Sequence, residues 1–170
     1  EQKFNIEKFL NESGPKMQAL YEIIHGKTPK SNEKCNYEIS NLMQGVKDIP
    51  YVGSIRKILL FAGYNETLYN VQKFTEKIGV KTFILQGRYS TMCEILTKFR
   101  ECTETSILLI NSNQNCAGMD IQYATDLVFF HKICNTQIEG QVAGRMQRVG
   151  RTSNFNIFYL IYNNEIGLFE

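Results

Sequence analysis

Residues 57–63 (KILLFAG), 66–79 (ETLYNVQKFTEKIG), 81–87 (KTFILQG), 90–102 (STMCEILTKFREC) and 106–112 (SILLINS) set out an alternation of two patterns. The first, third and fifth are short apolar runs without polar interruption, as expected of strands buried on both faces. The second and fourth place apolar residues at helical spacing. Gly79 is suited to end the first of these helices, and Ser90 or Thr91 to cap the second. The alternation continues through 126–132 (DLVFFHK), 137–150 (QIEGQVAGRMQRVG) and 155–162 (FNIFYLIY). Strands separated by helices at this interval predict an α/β fold, a parallel sheet with helices on both faces. In such sheets functional groups gather on the loops beyond the carboxyl ends of the strands.

Before residue 57 the pattern is weaker. Met17, Leu20, Ile23 and Ile24 fall at helical spacing within 15–24, with Ser13 and Pro15 suited to the start of that helix. Residues 25–55 are polar and broken by Pro29 and Pro50, with YEISNLMQ (37–44) able to form a short helix. The expected organisation is a lead-in helix region over 1–24, a linker or insertion over 25–56, and the α/β domain over 57–170.

The 170 residues match one ordinary domain. Charged residues make up 21% of the chain, and no apolar run approaches the ~18 residues of a membrane span. A soluble, intracellular protein without a membrane partner is expected. The chain begins at Glu1 rather than Met, as expected of an expressed segment, a processed product or a fragment of something longer. Cys35, Cys93, Cys102, Cys116 and Cys134 form no CxxC pair and leave an odd cysteine, arguing against a disulfide framework or zinc module. His131 and Cys134 form an HxxC without a second ligand pair nearby, so no metal site is expected. The net charge of +2 does not by itself argue for nucleic-acid binding. Abundant Asn, Lys, Ile, Phe and Tyr fit an AT-rich genome.

The chemistry concentrates in Gln141-Val-Ala-Gly144-Arg145-Met-Gln-Arg148-Val-Gly150-Arg151. On a helix Arg145 and Arg148 share a face, so both guanidinium groups reach one ligand. A solvated basic face is the plain alternative. This segment resembles motif VI (QxxGRxxRxGQ/R) of superfamily-two helicases, and Asn135-Thr-Gln137-Ile-Glu139-Gly-Gln141 resembles the WNPQxExQ run of their Snf-like branch. Cys134 and Thr136 stand where that run has Trp and Pro. Ser112-Asn-Gln-Asn-Cys116-Ala117-Gly118-Met-Asp120-Ile121 is similar to motif V, and Leu85-Gln86-Gly87-Arg88-Tyr-Ser90-Thr91 with Phe99 to the LDGSTS…F stretch. KILLFAGY resembles motif IV, and Ser13-Gly-Pro-Lys16 the lead-in of Snf relatives. The FFHK…QVAGRMQRVGR run is similar to helicases of large DNA viruses.

The resemblance implies a RecA-like parallel sheet, the second half of a two-domain motor. It implies Arg145 and Arg148 as catalytic arginines on ATP, with Gly118, Asp120 and Gln141 completing this domain's share of the nucleotide site. It places Gly63, Gln86, Gly87, Arg88 and Ser112 at the nucleic-acid backbone. DNA is the implied polymer, RNA an alternative; nucleus, viral factory or virion are the implied locations. Gly26-Lys27-Thr28 imitates a Walker A ending, but Tyr21 stands where its leading Gly is needed. No DExH or DExD box occurs, so ATP and Mg²⁺ are expected to be held mainly by a first RecA-like domain elsewhere in the full-length protein. This chain alone is expected not to hydrolyse ATP. Two other readings stay open. One is a non-catalytic module derived from such a motor. The other is a DEAD-box-like RNA helicase, whose motif VI begins His-Arg where Gln141-Val142 stand here.

Overall fold

The structure is a computed structural model that describes residues 5–25, 35–40, 55–112, 124–130 and 156–162. Helices α1 (Ile6–Ser13) and α2 (Pro15–Ile24) precede strand β1 (Cys35–Ser40). Then come β2 (Lys57–Ala62), α3 (Asn65–Lys77), β3 (Lys81–Ile84), α4 (Tyr89–Glu101), β4 (Ser106–Asn111), β5 (Asp126–Phe129) and β6 (Asn156–Tyr162). They form one sheet in the order β1-β6-β5-β2-β4-β3. β6, β5, β2, β4 and β3 run parallel, and β1 pairs antiparallel with β6.

The unbroken apolar runs have a direct cause. Side chains of a strand alternate between faces, and both faces here are covered. Ile58, Leu60 and Ala62 of β2 join Ile107, Leu109, Val128, Phe158 and Leu160 in one core, closed by α2 and by Leu68, Val71 and Phe74 of α3. Leu59 and Phe61 point the other way, into a core with Leu108, Ile110, Leu127, Phe129 and Phe99 of α4. Phe61 stacks on Phe129 at 5.5 Å, and Phe83 meets Phe99 edge-on at 6.0 Å. Full burial of each such side chain contributes about 1.5–3 kcal/mol.

The amino ends of the strands are tied by charge. Arg56 Nη1 donates to Asp126 Oδ2 at 2.7 Å, and both side chains are buried. Lys57 Nζ donates to the carbonyls of Phe99 (2.6 Å) and Cys102 (2.5 Å) and to Ser106 Oγ (3.2 Å). Three acceptors match the ammonium's three protons. Even so, loss of hydration on burial pushes the Lys57 pKa below its usual 10.5, with an attraction to Cys102 acting the other way.

Several local expectations are corrected. Residues 37–40 of the expected short helix belong to β1, inside the stretch expected as linker; Cys35, Tyr37 and Ile39 alternate with Asn36, Glu38 and Ser40, the period of a strand. α1 was not anticipated; Asn5 starts it by accepting from the Lys8 amide through Oδ1 at 3.3 Å. Ser13 ends α1, its hydroxyl donating to the Phe9 carbonyl at 2.6 Å, while Gly14 and Pro15 start α2. Neither Ser90 nor Thr91 caps α4. The helix starts at Tyr89 with Arg88 as its cap residue, because Gly87 at φ +99° turns the chain one residue earlier. Gly79 follows α3 at φ +82°, as expected. The helix expected over 137–150 lies outside the described residues. Phe129, Phe130 and Phe158 are buried in the core, as their place in apolar strands leads one to expect.

Candidate nucleic-acid interface

The carboxyl ends of the parallel strands form one edge. The Ser112 amide, just past β4, donates to the Ala62 carbonyl of β2 at 2.9 Å. The Phe130 amide, just past β5, donates to the Phe61 carbonyl at 2.9 Å, and the Leu85 amide past β3 to the Leu109 carbonyl of β4 at 2.9 Å. Asn111 Nδ2 donates to Asn65 Oδ1 at 2.9 Å, joining the end of β4 to the start of α3. Four strand exits are thereby held on a rigid frame, the arrangement that lets loops carry function.

Gly63 and Ser112, neighbours in the sequence expectation only by role, are neighbours in space. A Cβ placed on Gly63 would stand 3.7 Å from Ser112 Oγ. Ser112 is buried, its side chain turned into this junction. Gln86, Gly87 and Arg88 are exposed together on the turn that leaves β3. The positive φ of Gly87 makes that turn, and a Cβ there would meet Thr91 Cβ and Cγ2 at 3.3 Å. With β4 lying between β2 and β3, the two groups flank one strand on the same edge. Gly118, Asp120, Gln141, Arg145 and Arg148 lie outside the described residues. Among the described residues no cluster of His, Cys, Asp or Glu could hold a metal ion.

Three residues at this edge were missed. Tyr64 and Tyr89 are 69% and 79% exposed, each directly after a strand-exit turn. Their position after Gly63 and after Gly87-Arg88 is the signal that could have found them. Lys16 is buried and donates through Nζ to the Phe130 carbonyl at 2.5 Å. That contact spans 114 positions and leaves no local trace in the sequence.

Residues 38–155 match the family described as helicase conserved C-terminal domain. The chain belongs to this family. Its fold is the RecA-like one of superfamily-two helicase C-terminal domains. R592 of Acanthamoeba polyphaga mimivirus, a protein named as a helicase, is 32% identical over 109 residues, covering 64% of this chain and 13% of the relative. An uncharacterized ATP-dependent helicase of Mycoplasma pneumoniae is 26% identical over 113 residues, covering 65% and 11%. The chain therefore spans about an eighth of the length of these relatives.

Among solved structures, the C-terminal part of the Fun30 ATPase domain superposes with a TM-score of 0.55 at 22% identity, covering 60% of this chain and 34% of that one. Domain 2 of the DEAD-box helicase Mss116p, bound to an RNA duplex, superposes with a TM-score of 0.51 at 13% identity, covering 62% and 42%. Both likenesses concern the fold. Among the described residues of this helicase C-terminal domain, no helix is long and apolar enough to cross a membrane.

Proposed function

We propose that this domain is the second motor half of an ATP-dependent nucleic-acid translocase or helicase of the Snf-like branch. The observation that carries the reading is the strand-exit edge. Gly63 and Ser112 meet there, and the exposed Gln86-Gly87-Arg88 turn stands beside them. A buried hydroxyl, bare glycine backbone and an exposed guanidinium are suited to phosphate oxygens, which position a polymer without reading its bases. We assign Gly63, Gln86, Gly87, Arg88 and Ser112 to that backbone.

The ATP role rests on sequence. Arg145 and Arg148 would meet the γ-phosphate as the two motor halves close, with Gly118, Asp120 and Gln141 completing this side. Charge developing on a transferring phosphoryl group is stabilised by such arginines by roughly 10³–10⁵ in rate. Mg²⁺ and the phosphate cradle would come from a first RecA-like domain of the full-length protein. Hydrolysis removes the charge the arginines grip, so the cleft opens and the domain moves along one strand. That is a population shift driven by differential affinity for the two nucleotide states. The proposed polymer is DNA, and the proposed setting is the nucleus, a viral factory or a virion.

The test is nucleic-acid-stimulated ATPase of the full-length protein beside Arg148→Ala. Turnover reduced at least ~10³-fold in the variant is the expected result. Full-length protein without turnover would leave the non-catalytic binding module as the reading.

A further inference from the structure

Asn70, Lys73, Phe74 and Lys77 stand at i, i+3, i+4 and i+7 of α3, so they share one helix face. Phe74 is buried at its base, while Asn70, Lys73 and Lys77 are exposed. Across from them stand Phe9 and Ser13, one turn apart on α1, and Met17 near the start of α2. Between these walls lies a groove of about 350 Å³. That volume falls within the roughly 300–1,000 Å³ of ligand-holding pockets.

The floor of the groove is apolar. Phe9 stacks on Phe74 with ring centroids 5.4 Å apart. Phe9 and Met17 are only partly buried, and the unbranched thioether of Met17 can adapt to what lies against it. The Ser13 hydroxyl donates to the Phe9 carbonyl at 2.6 Å, so its proton is already engaged. The rim is basic. Lys73 and Lys77 are one turn apart, where like charges repel, and among the described residues no carboxylate lines the groove. Lys77 suits the last turn of α3, where a cation meets the negative end of the helix dipole. Lys73 has no such reason for its place, and it forms no ion pair among the described residues.

We propose that this groove is a docking site for an acidic peptide segment of a partner protein. Large apolar side chains of the segment would fill the floor, and its carboxylates would meet the lysine rim. An apolar centre within a charged border is the ordinary anatomy of a protein interface, and the sign of the border selects the partner. A nucleic-acid backbone could meet the lysines but would bring nothing for the floor of Phe9, Met17 and Phe74. The rim is also set back from the strand-exit edge. α3 starts there, where Asn65 accepts from Asn111, and Lys73 and Lys77 stand about 12 and 18 Å further along its axis. The docking site needs no ATP turnover and stands apart from the motor reading.

The test pans phage-displayed random dodecapeptides on the full-length protein, then measures one enriched peptide, labelled with fluorescein, by fluorescence anisotropy. Enriched sequences should combine Phe, Trp or Leu with Asp or Glu. Lys73→Glu should bind the peptide at least ~5-fold more weakly than wild type, with Tm unchanged because the position is exposed. A peptide with Lys in place of its acidic residues should reverse that preference, and Ala in place of its aromatic or leucine anchors should abolish binding. The proposal is overturned if no sequence is enriched, if enriched sequences lack acidic residues, or if Lys73→Glu binds the peptide as wild type does. An oligothymidylate whose affinity falls in Lys73→Glu while that of the peptide does not would make nucleic acid the occupant, which overturns it equally.

Discussion

Replacing Asp126 by Ala would take a buried carboxylate from the Arg56 guanidinium at the amino end of the sheet. Asp126 is fully buried and Arg56 only 6% exposed, so neither charge can recover its hydration by a small rotation. Oδ2 of Asp126 accepts from Arg56 Nη1 and from Thr125 Oγ1, both at 2.7 Å; without it the Thr125 hydroxyl still has the Lys57 carbonyl at 3.3 Å, while the guanidinium loses a charged acceptor. Removing one partner of a buried ion pair costs about 3–5 kcal/mol. For a chain of this size about 2–4 °C of Tm follows each kcal/mol, so Asp126→Ala lowers Tm by roughly 6–20 °C. Removing both charges is different in kind. In Arg56→Met/Asp126→Leu both members of this pair are gone, and replacement of buried pairs by apolar residues is often neutral or favourable. The double variant should therefore be more stable than Asp126→Ala. A double-mutant cycle through Arg56→Met and Asp126→Leu should give a coupling above about 2 kcal/mol by urea denaturation followed by circular dichroism. Single variants that each lose under ~1 kcal/mol, or a double variant equal to the sum of its singles, would refute the reasoning.

Lys57 predicts an alkaline dependence. Burial lowers its folded pKa below the unfolded 10.5, so between the two values the unfolded chain binds more protons and stability rises with pH. Lys57→Met removes that rise; it also removes the ammonium's hydrogen bonds to the Phe99 and Cys102 carbonyls, an offset of about 1–3 kcal/mol that does not itself titrate. The unfolding free energy of the wild type minus that of Lys57→Met should rise from neutral pH to about 10.5; a difference that stays flat or falls shows the sign to be wrong. Gly87→Ala should cost roughly 1–2 kcal/mol and also weaken nucleic-acid binding by the full-length protein, because Thr91 stands 3.3 Å from the new methyl beside Arg88. Gly79→Ala, at φ +82° with nothing within 4 Å, carries the strain without touching the edge; equal affinity of the two variants in fluorescence anisotropy would count against the Gly87 turn as a contact surface.

The parallel strands were legible because burial on both faces removes polar residues from the run: Leu59 and Leu60 face opposite cores, yet both must be apolar. β1 was not, although Cys35–Ser40 alternates correctly, because the Gly- and Pro-broken stretch around it obscured so short a signal. Its partner β6 lies more than a hundred positions away, and register over that distance is not written in either segment. The start of α4 was misplaced for a local reason. Ser90 and Thr91 are good caps by chemistry, but the left-handed turn at Gly87 had already committed the backbone. At the site, Gly63 and Ser112 were named from two separate motifs, and the strand order that brings them side by side is a tertiary fact. Lys16 was read only as part of a lead-in, since its partner is a backbone carbonyl, a group every residue has.

The place of β6 between β1 and β5 has a consequence for biosynthesis. A ribosome delivers residues 35–40 and 126–129 well before residues 156–162, so the sheet's penultimate strand is the last of the described strands to emerge. Until then β5 has an open edge and β1 has no ladder to join. Unpaired edges of this kind template association with other chains. The nascent domain is most vulnerable between the emergence of β5 and that of β6, and a delay in that interval would favour aggregation over folding.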